Sequence, residues 1–163
     1  YAARFRVPSL PASGSYILFA QSATGYDVEL MNNGNLRITV EDGVGAKYLS
    51  NHVFNAGLAA GTWYDVVCAA NHAANNIKIS INGTISTISY TGTGNGLFQS
   101  NRALSFLGRV GGTLQFVGEV EYVRAWQSVT GTGAVPAGTP YHSVVGPAAT
   151  ANADNWKLGA NAT

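Results

Sequence analysis

Charged side chains are scarce in this 163-residue chain. Asp, Glu, Lys and Arg together make up 10% of the residues, and the formal net charge is +1. Average globular domains carry about 25% charged residues. A chain so close to neutral offers no extended basic surface, so we expect neither nucleic acid nor a membrane as a partner.

Cysteine and long apolar runs are also nearly missing. The single cysteine, Cys68, rules out an internal disulfide and stands in the apolar run WYDVVCAA. We expect it to be a small buried hydrophobic residue and not a reactive thiol. No apolar run approaches the roughly 18 residues that a membrane-spanning helix needs.

Methionine occurs once, at Met31, and the first residue is Tyr1. An initiator methionine is normally removed only before a small residue. We therefore expect this chain to be a module of a longer protein.

Glycine and strand-forming residues are abundant. The chain holds 20 glycines, and apolar and polar residues alternate over residues 1–7 and 76–82. This pattern predicts short strands, with residues 1–7 at or near an edge, their arginines solvated, and residues 15–20 buried on both faces. Asn82-Gly83 is a strong hairpin signal, as is the turn at residues 32–35. With no long amphipathic helix, the chain is predicted to be all-β, with two antiparallel sheets packed face to face.

Three stretches resemble a known family. The sequences GTWYDVVCAANHAANNIKISINGT and NNGNLRITVEDG are similar to hairpins of laminin-G-like and pentraxin-like domains, within the concanavalin A-like jelly roll. LSFLGRVGGTLQFVGEVEYVRAWQSV resembles the closing segment of the same family. The resemblance implies a jelly-roll sandwich over residues 1–128. Residues 129–163 fall outside it, as an extended C-terminal connection or tail that docks on the sandwich or leads to another domain.

The resemblance also implies a range of functions. Such domains mostly recognise glycans, proteins or lipid headgroups, often with calcium in a rim site. They occur in extracellular proteins, bacterial surface proteins and phage tail or capsid-associated proteins. We therefore expect an extracellular, cell-surface or virion location.

Two carboxylates raise the question of glycan cleavage. Glu119 and Glu121 stand two residues apart, so on a flat strand they share one face. Glucanases of this fold carry Glu-x-Asp-x-x-Glu on one strand, whereas Arg124 occupies the third acidic place here. An arginine would pair with a carboxylate and keep it ionised, which does not suit a general acid. We expect no catalytic residues and no enzymatic activity, and a glycoside hydrolase is the weakest hypothesis.

Calcium has little support. The ion prefers six to eight oxygen ligands, and the chain has no dense acidic loop. Pentraxin-like domains place ligands after Leu-Gly, where this chain has Arg109. We expect no cofactor, and only Asp27, Glu41 and Asp42 are candidates for a weaker calcium site.

Aromatic and amide residues in predicted loops are the candidates for ligand binding. Sugar sites combine an aromatic face with amides, carboxylates and backbone groups. The candidates are Tyr26, Tyr48, His52, Asn55, Tyr90, Asn95, Phe98 and Asn101. Trp63 and Trp126 match core positions of the family and are assigned to packing. Trp156 lies in the tail, where it either docks the tail or anchors an interface.

Two hypotheses follow. The first is a non-enzymatic recognition or adhesion module that binds carbohydrate. The second is a structural or assembly domain of a phage virion, such as a capsid decoration, tail or fibre protein, that contacts neighbouring subunits. The expected partners are therefore a glycan or neighbouring protein subunits, in a homo-oligomer or a larger assembly.

Overall fold

The computed structural model describes residues 1–21, 26–41, 47–71, 74–90, 104–107, 115–125 and 142–150. These residues form strands and turns without a helix, so none of them belongs to an apolar helix long enough to cross a membrane. In chain order the strands are β1 (Ala2–Arg6), β2 (Ser15–Gln21), β3 (Tyr26–Met31), β4 (Leu36–Glu41), β5 (Lys47–Phe54), β6 (Tyr64–Asn71), β7 (Asn76–Ile81), β8 (Thr84–Ser89), β9 (Leu104–Phe106), β10 (Glu119–Ala125) and β11 (His142–Thr150).

The strands form two antiparallel sheets. One has six strands in the order β11-β10-β1-β6-β7-β8, and the other has five in the order β5-β4-β3-β2-β9. A single apolar core joins them, and edge-on ring contacts connect Phe116 to both Phe5 of β1 and Tyr16 of β2. The predicted all-β sandwich of two antiparallel sheets is confirmed.

Strand β1 lies in the middle of its sheet and not at an edge, contrary to the prediction. It pairs with β10 on one side and with β6 on the other. Ala3 and Phe5 point into the core, while Arg4 and Arg6 point outward. Alternation of apolar and polar residues shows only that one face of a strand is polar. An edge strand has this pattern, and so does a central strand whose outer charges are neutralised by neighbouring strands. The arginines are therefore paired with neighbouring carboxylates and are not simply solvated.

Other patterns were read correctly. Ile17 and Leu18 of β2 are both fully buried, as predicted for a strand covered on both faces. Ile77 and Ile79 of β7 are buried as well, and Ile81 is partly buried against the core. The alternation of apolar and polar residues therefore correctly identified the side of β7 that faces the core.

Two turns use residues with left-handed backbone angles. Asn82 and Gly83 have φ of 49° and 85°, as a type I′ hairpin turn requires. Gly34, at φ 78°, ends the β3–β4 turn, and its N–H donates to the carbonyl of Met31. Leu58 donates its own N–H to the carbonyl of Gly34 at 2.8 Å, so this turn is packed and not free.

Strand β11 lies in the segment that the sequence predicted to be a tail. It pairs antiparallel with β10 and contains Pro147, which has no N–H to donate. The β10–β11 register shifts between Val120 and Tyr122, close to that proline. Trp126 and Trp156 lie outside the described residues.

Replacing Gly34 should destabilise the fold far more than replacing Gly83. A Cβ on Gly34 would lie 2.1 Å from the carbonyl oxygen of Leu58, whereas one on Gly83 meets nothing within 4 Å. Gly83→Ala therefore carries only the left-handed backbone cost of about 1–2 kcal/mol. Gly34→Ala adds a backbone clash and should cost more than about 3 kcal/mol. Urea unfolding checks this, and equal losses for the two variants would contradict it.

Cys68 is fully buried in β6, which confirms the prediction of a small hydrophobic residue. Burial raises the pKa of its thiol to about 11, so the reactive thiolate is rare at neutral pH. We expect the native protein to resist an aromatic disulfide reagent at pH 8 and the urea-unfolded protein to react at once. Because burial raises the pKa of Cys68, ionisation of this thiol favours the unfolded state. The resulting stabilisation of the folded state is complete below the pKa of the unfolded thiol and is lost as pH rises through about 11. Rapid stoichiometric labelling of the native protein would show that the site is open.

Candidate functional site

The outer face of the six-stranded sheet carries a cluster of charged and aromatic side chains, here called the polar belt. Its members come from β1, from β10, and from β6 with the residue just before it. The belt consists of Arg4, Arg6, Trp63, Asp65, Glu119, Glu121, Tyr122 and Arg124.

Three ion pairs neutralise the belt. Nη2 of Arg6 donates to both carboxylate oxygens of Glu119, at 2.6 and 2.7 Å. Arg4 lies between two carboxylates: its Nη1 is 3.1 Å from Asp65, and its Nε is 2.8 Å from Glu121. Because β1 lies between β6 and β10, its arginines reach acids on both neighbours.

A bulge places Glu121. Arg4 faces Tyr122 and Phe5 faces Val120, so Glu121 has no direct partner on β1. The prediction for Glu119 and Glu121 assumed regular pairing along the strand. The bulge adds one residue to β10 and changes the direction of the side chain there. Glu121 still reaches Arg4, so both carboxylates belong to the outer face, as predicted.

Trp63 is a member of the belt, and its assignment to core packing was wrong. It is partly exposed, and the guanidinium carbons of Arg4 and Arg6 lie 5.9 and 5.3 Å from its ring centroid. Both distances are within the range of a cation–π contact. The signal was available in the sequence, since Trp63 and Asp65 share one parity and therefore one face of β6.

Arg124 contacts an aromatic ring and not the carboxylates that the sequence argument assigned to it. Its guanidinium carbon lies 4.8 Å from the ring centroid of Tyr122. The hydroxyl of Tyr122 donates to Asp65 at 2.8 Å. Partial burial, together with that hydrogen bond and the charge of Asp65, raises the pKa of Tyr122 to about 12, so it remains a neutral donor.

The contacts of Glu119 and Glu121 bear on the glycoside hydrolase hypothesis. A glycosidase needs one carboxyl group that holds a proton and a second that is ionised. Both oxygens of Glu119 accept charge-assisted hydrogen bonds from Arg6, and Glu121 pairs with Arg4. Glu119 and Glu121 are therefore paired with the two arginines that also contact the ring of Trp63.

The part of the chain that the structure describes contains no group of three or more His, Cys, Asp or Glu residues able to hold a metal. Of the three calcium candidates, Asp27 lies on β3 and Glu41 is the last residue of β4. Asp42 lies outside the described residues.

Two tyrosines expected in loops lie in the core. Tyr26 belongs to β3, is 6% exposed, and its ring centroid is 5.4 Å from that of Phe19. Tyr90 directly follows β8 and is also 6% exposed. Both were predicted to be loop residues because turn sequences lie nearby. Their positions in the alternation of inward and outward residues instead place them on the core side. Neither offers a ring face to a ligand in solution.

The remaining loop candidates are dispersed. His52 is partly buried on β5, opposite Ile38. Asn55 is exposed, and its Oδ1 accepts from Nδ2 of Asn35 at 3.2 Å. Tyr48 is also on β5. Asn95, Phe98 and Asn101 lie outside the described residues.

A second polar cluster, which the sequence did not reveal, is buried on the outer side of the five-stranded sheet. Ser15, Glu29 and Arg37 come from β2, β3 and β4. Nη2 of Arg37 donates to the hydroxyl of Ser15 at 3.1 Å and also to Glu29, which Ser15 contacts too. The Glu29 side chain is 7% exposed, so this carboxylate is shielded from water far better than those of the belt.

Removing an arginine should destabilise the fold much more in the second cluster than in the polar belt. Arg37→Met leaves Glu29 buried without its guanidinium and should cost about 3 kcal/mol. Arg6→Met removes a pair whose side chains are 38% and 36% exposed, so water compensates and the loss should stay below about 1 kcal/mol. Chemical unfolding of both variants measures the difference. Similar losses would contradict the distinction between the buried and the exposed pair.

Comparison with known protein families identifies the family of this chain. A laminin G family model, described as the concanavalin A-like lectin/glucanases superfamily, matches residues 1–135. No curated protein and no solved structure matches the chain.

Proposed function

This chain belongs to the concanavalin A-like lectin/glucanases superfamily, and we propose that it is a non-enzymatic recognition module that binds carbohydrate. Domains of this type are generally lectin-like, although the superfamily also contains glycoside hydrolases. The proposal places the module in a larger extracellular, cell-surface or virion protein.

The polar belt is the observation that carries the proposal. A sugar ring has an apolar face that packs on an aromatic side chain and a rim of hydroxyls that both donate and accept hydrogen bonds. Trp63 supplies a partly exposed ring, and Arg6 and Glu119 beside it supply donors and acceptors already held in place. Such preorganised groups lower the entropic cost of binding. Because the charges cancel, the belt favours a neutral ligand over a strongly charged one.

The ion pairs support recognition without cleavage. Glu119 accepts two hydrogen bonds from Arg6, and Glu121 forms an ion pair with Arg4. The hydrolase alternative would need one of them to be protonated beside a glycosidic oxygen. The contacts of the belt therefore favour a binding function.

Trp63→Ala should weaken glycan binding. The substitution removes the ring but no charge, so the expected loss is at least about tenfold in affinity, or about 1.4 kcal/mol. An oligosaccharide array identifies a ligand for the wild type, and titration calorimetry with that ligand measures the loss. Val53→Ala is the matched control, since Val53 is a 44% exposed hydrophobic residue on the other sheet.

The same ligand separates binding from hydrolysis. We expect prolonged incubation with the protein to release no new reducing ends. Release by the wild type that disappears in Glu119→Gln would establish the hydrolase instead. Unchanged binding in Trp63→Ala, with Val53→Ala also unchanged, would place the sugar site away from the belt.

A second candidate function is a structural or assembly domain of a virion or surface array. Strand β8 favours it, because among the described strands its outer edge pairs with none, and a regular unpaired edge offers main-chain hydrogen bonds to another strand. A stable oligomer that binds no glycan would support this candidate over the first.

A further inference from the structure

In the described part of the chain, strand β8 is an end strand of the six-stranded sheet, and four of its six residues are exposed. Its pairing with β7 is regular over six residue pairs, from Asn76↔Ser89 to Ile81↔Thr84. Its sequence, TISTIS, has no charge and no proline, and Ile85 is 49% exposed. Proteins commonly protect such edges with charges, prolines, bulges or short strands.

The backbone groups of alternate β8 residues face away from β7. The two-residue turn at Asn82-Gly83 makes Ile81 and Thr84 a hydrogen-bonded pair, and Tyr90 donates to the carbonyl of Asn75 at 2.9 Å. Even-numbered residues therefore bond to β7. The N–H and C=O groups of Ile85, Thr87 and Ser89 point to the open side, and their side chains lie on the exposed outer face.

The other sheet edges, in the portion of the chain with described structure, are each protected. Strand β5 has two register shifts in its pairing and a left-handed Asn51, at φ 49°. Strand β9 has three residues, and β11 contains Pro147. These are recognised ways of preventing strand addition. Strand β8 differs from all three.

We propose that β8 pairs antiparallel with β8 of a second copy of this chain, with Thr87 opposite Thr87 at the two-fold axis. This register sets Ile85 opposite Ser89 and satisfies every outward N–H and C=O of the three residues in both copies. Shifting it by two residues toward the hairpin turn sets Ser89 opposite Gly83, which lies outside the strand. A symmetric pair also brings no like charges together, because β8 has none.

The side chains agree with this register. Antiparallel pairing about an axis normal to the sheet places the outer faces of both copies on one side. Ile85, exposed in the monomer, then packs against Thr87 and Ser89 of the second copy, which are small enough to admit it. The result is a continuous twelve-stranded sheet formed from two six-stranded ones. The inference deepens the assembly function and does not depend on sugar binding.

Sedimentation of the whole chain over a range of concentrations tests the pairing. Wild type should show a concentration-dependent monomer–dimer equilibrium. Thr87→Pro removes two intermolecular N–H donors while sparing the β7 ladder, and should raise the dimer dissociation constant about thirtyfold. Thr87→Val keeps the donor and a β-branched side chain, so it should dimerise like wild type. A wild type that stays monomeric at millimolar concentration overturns the proposal.

Cysteine cross-linking tests the register. Thr87→Cys should form a disulfide-linked dimer under mild oxidation, because the two-fold axis brings the two thiols together. Ile85→Cys should not, because residues 85 of the two copies are about 13 Å apart along the strands. Cys68 is buried and does not interfere. Equal cross-linking of both variants, or of Ile85→Cys alone, overturns the register.

These outcomes are distinct from those for sugar binding. Loss of dimers in Thr87→Pro with glycan binding retained supports the edge contact as an assembly device. A dimer that survives Thr87→Pro unchanged shows that another surface joins the copies and contradicts the proposal.

Discussion

The six-stranded sheet depends on neutralising the charges of its central strand. Arg4 and Arg6 of β1 stand between β6 and β10, and their ion pairs reach Asp65, Glu121 and Glu119. Each exposed pair contributes little stability alone. Together they determine which acids may face β1, and they hold Trp63 in a defined position. The arrangement that permits charges on a central strand also builds the surface proposed for recognition.

The fold could be predicted because local patterns determine it. Alternation identified the core side of β7, and Asn82-Gly83 specified the hairpin that follows, since few residues accept its two positive φ angles. The position of β1 in the sheet could not be predicted in this way. Its pairing with β10 joins residues more than a hundred positions apart, and alternation contains no information on such partners.

The candidate site was harder to predict than the fold. Tyr26 and Tyr90 were chosen for their residue type near turns, but a difference of one position decides whether a strand residue faces core or solvent. Trp63 was assigned to packing because it matches a core position of the family that the sequence resembles. Its role depends on Arg6, which is distant in sequence and adjacent in the sheet. A binding face formed by several strands is thus invisible to any motif confined to one of them.

The direction of the outward backbone groups of β8 has a consequence for the affinity of a dimer for polysaccharide. Two copies joined through this edge would present their polar belts on the same side of one sheet, about 24 Å apart between the two β6 strands at the usual strand spacing. A polymer with repeated sugar units could then occupy both belts at once. The second contact would form at a high effective concentration and strengthen binding without any new interaction. Two individually weak sites would then bind a polysaccharide bivalently, while each would bind a single sugar only weakly.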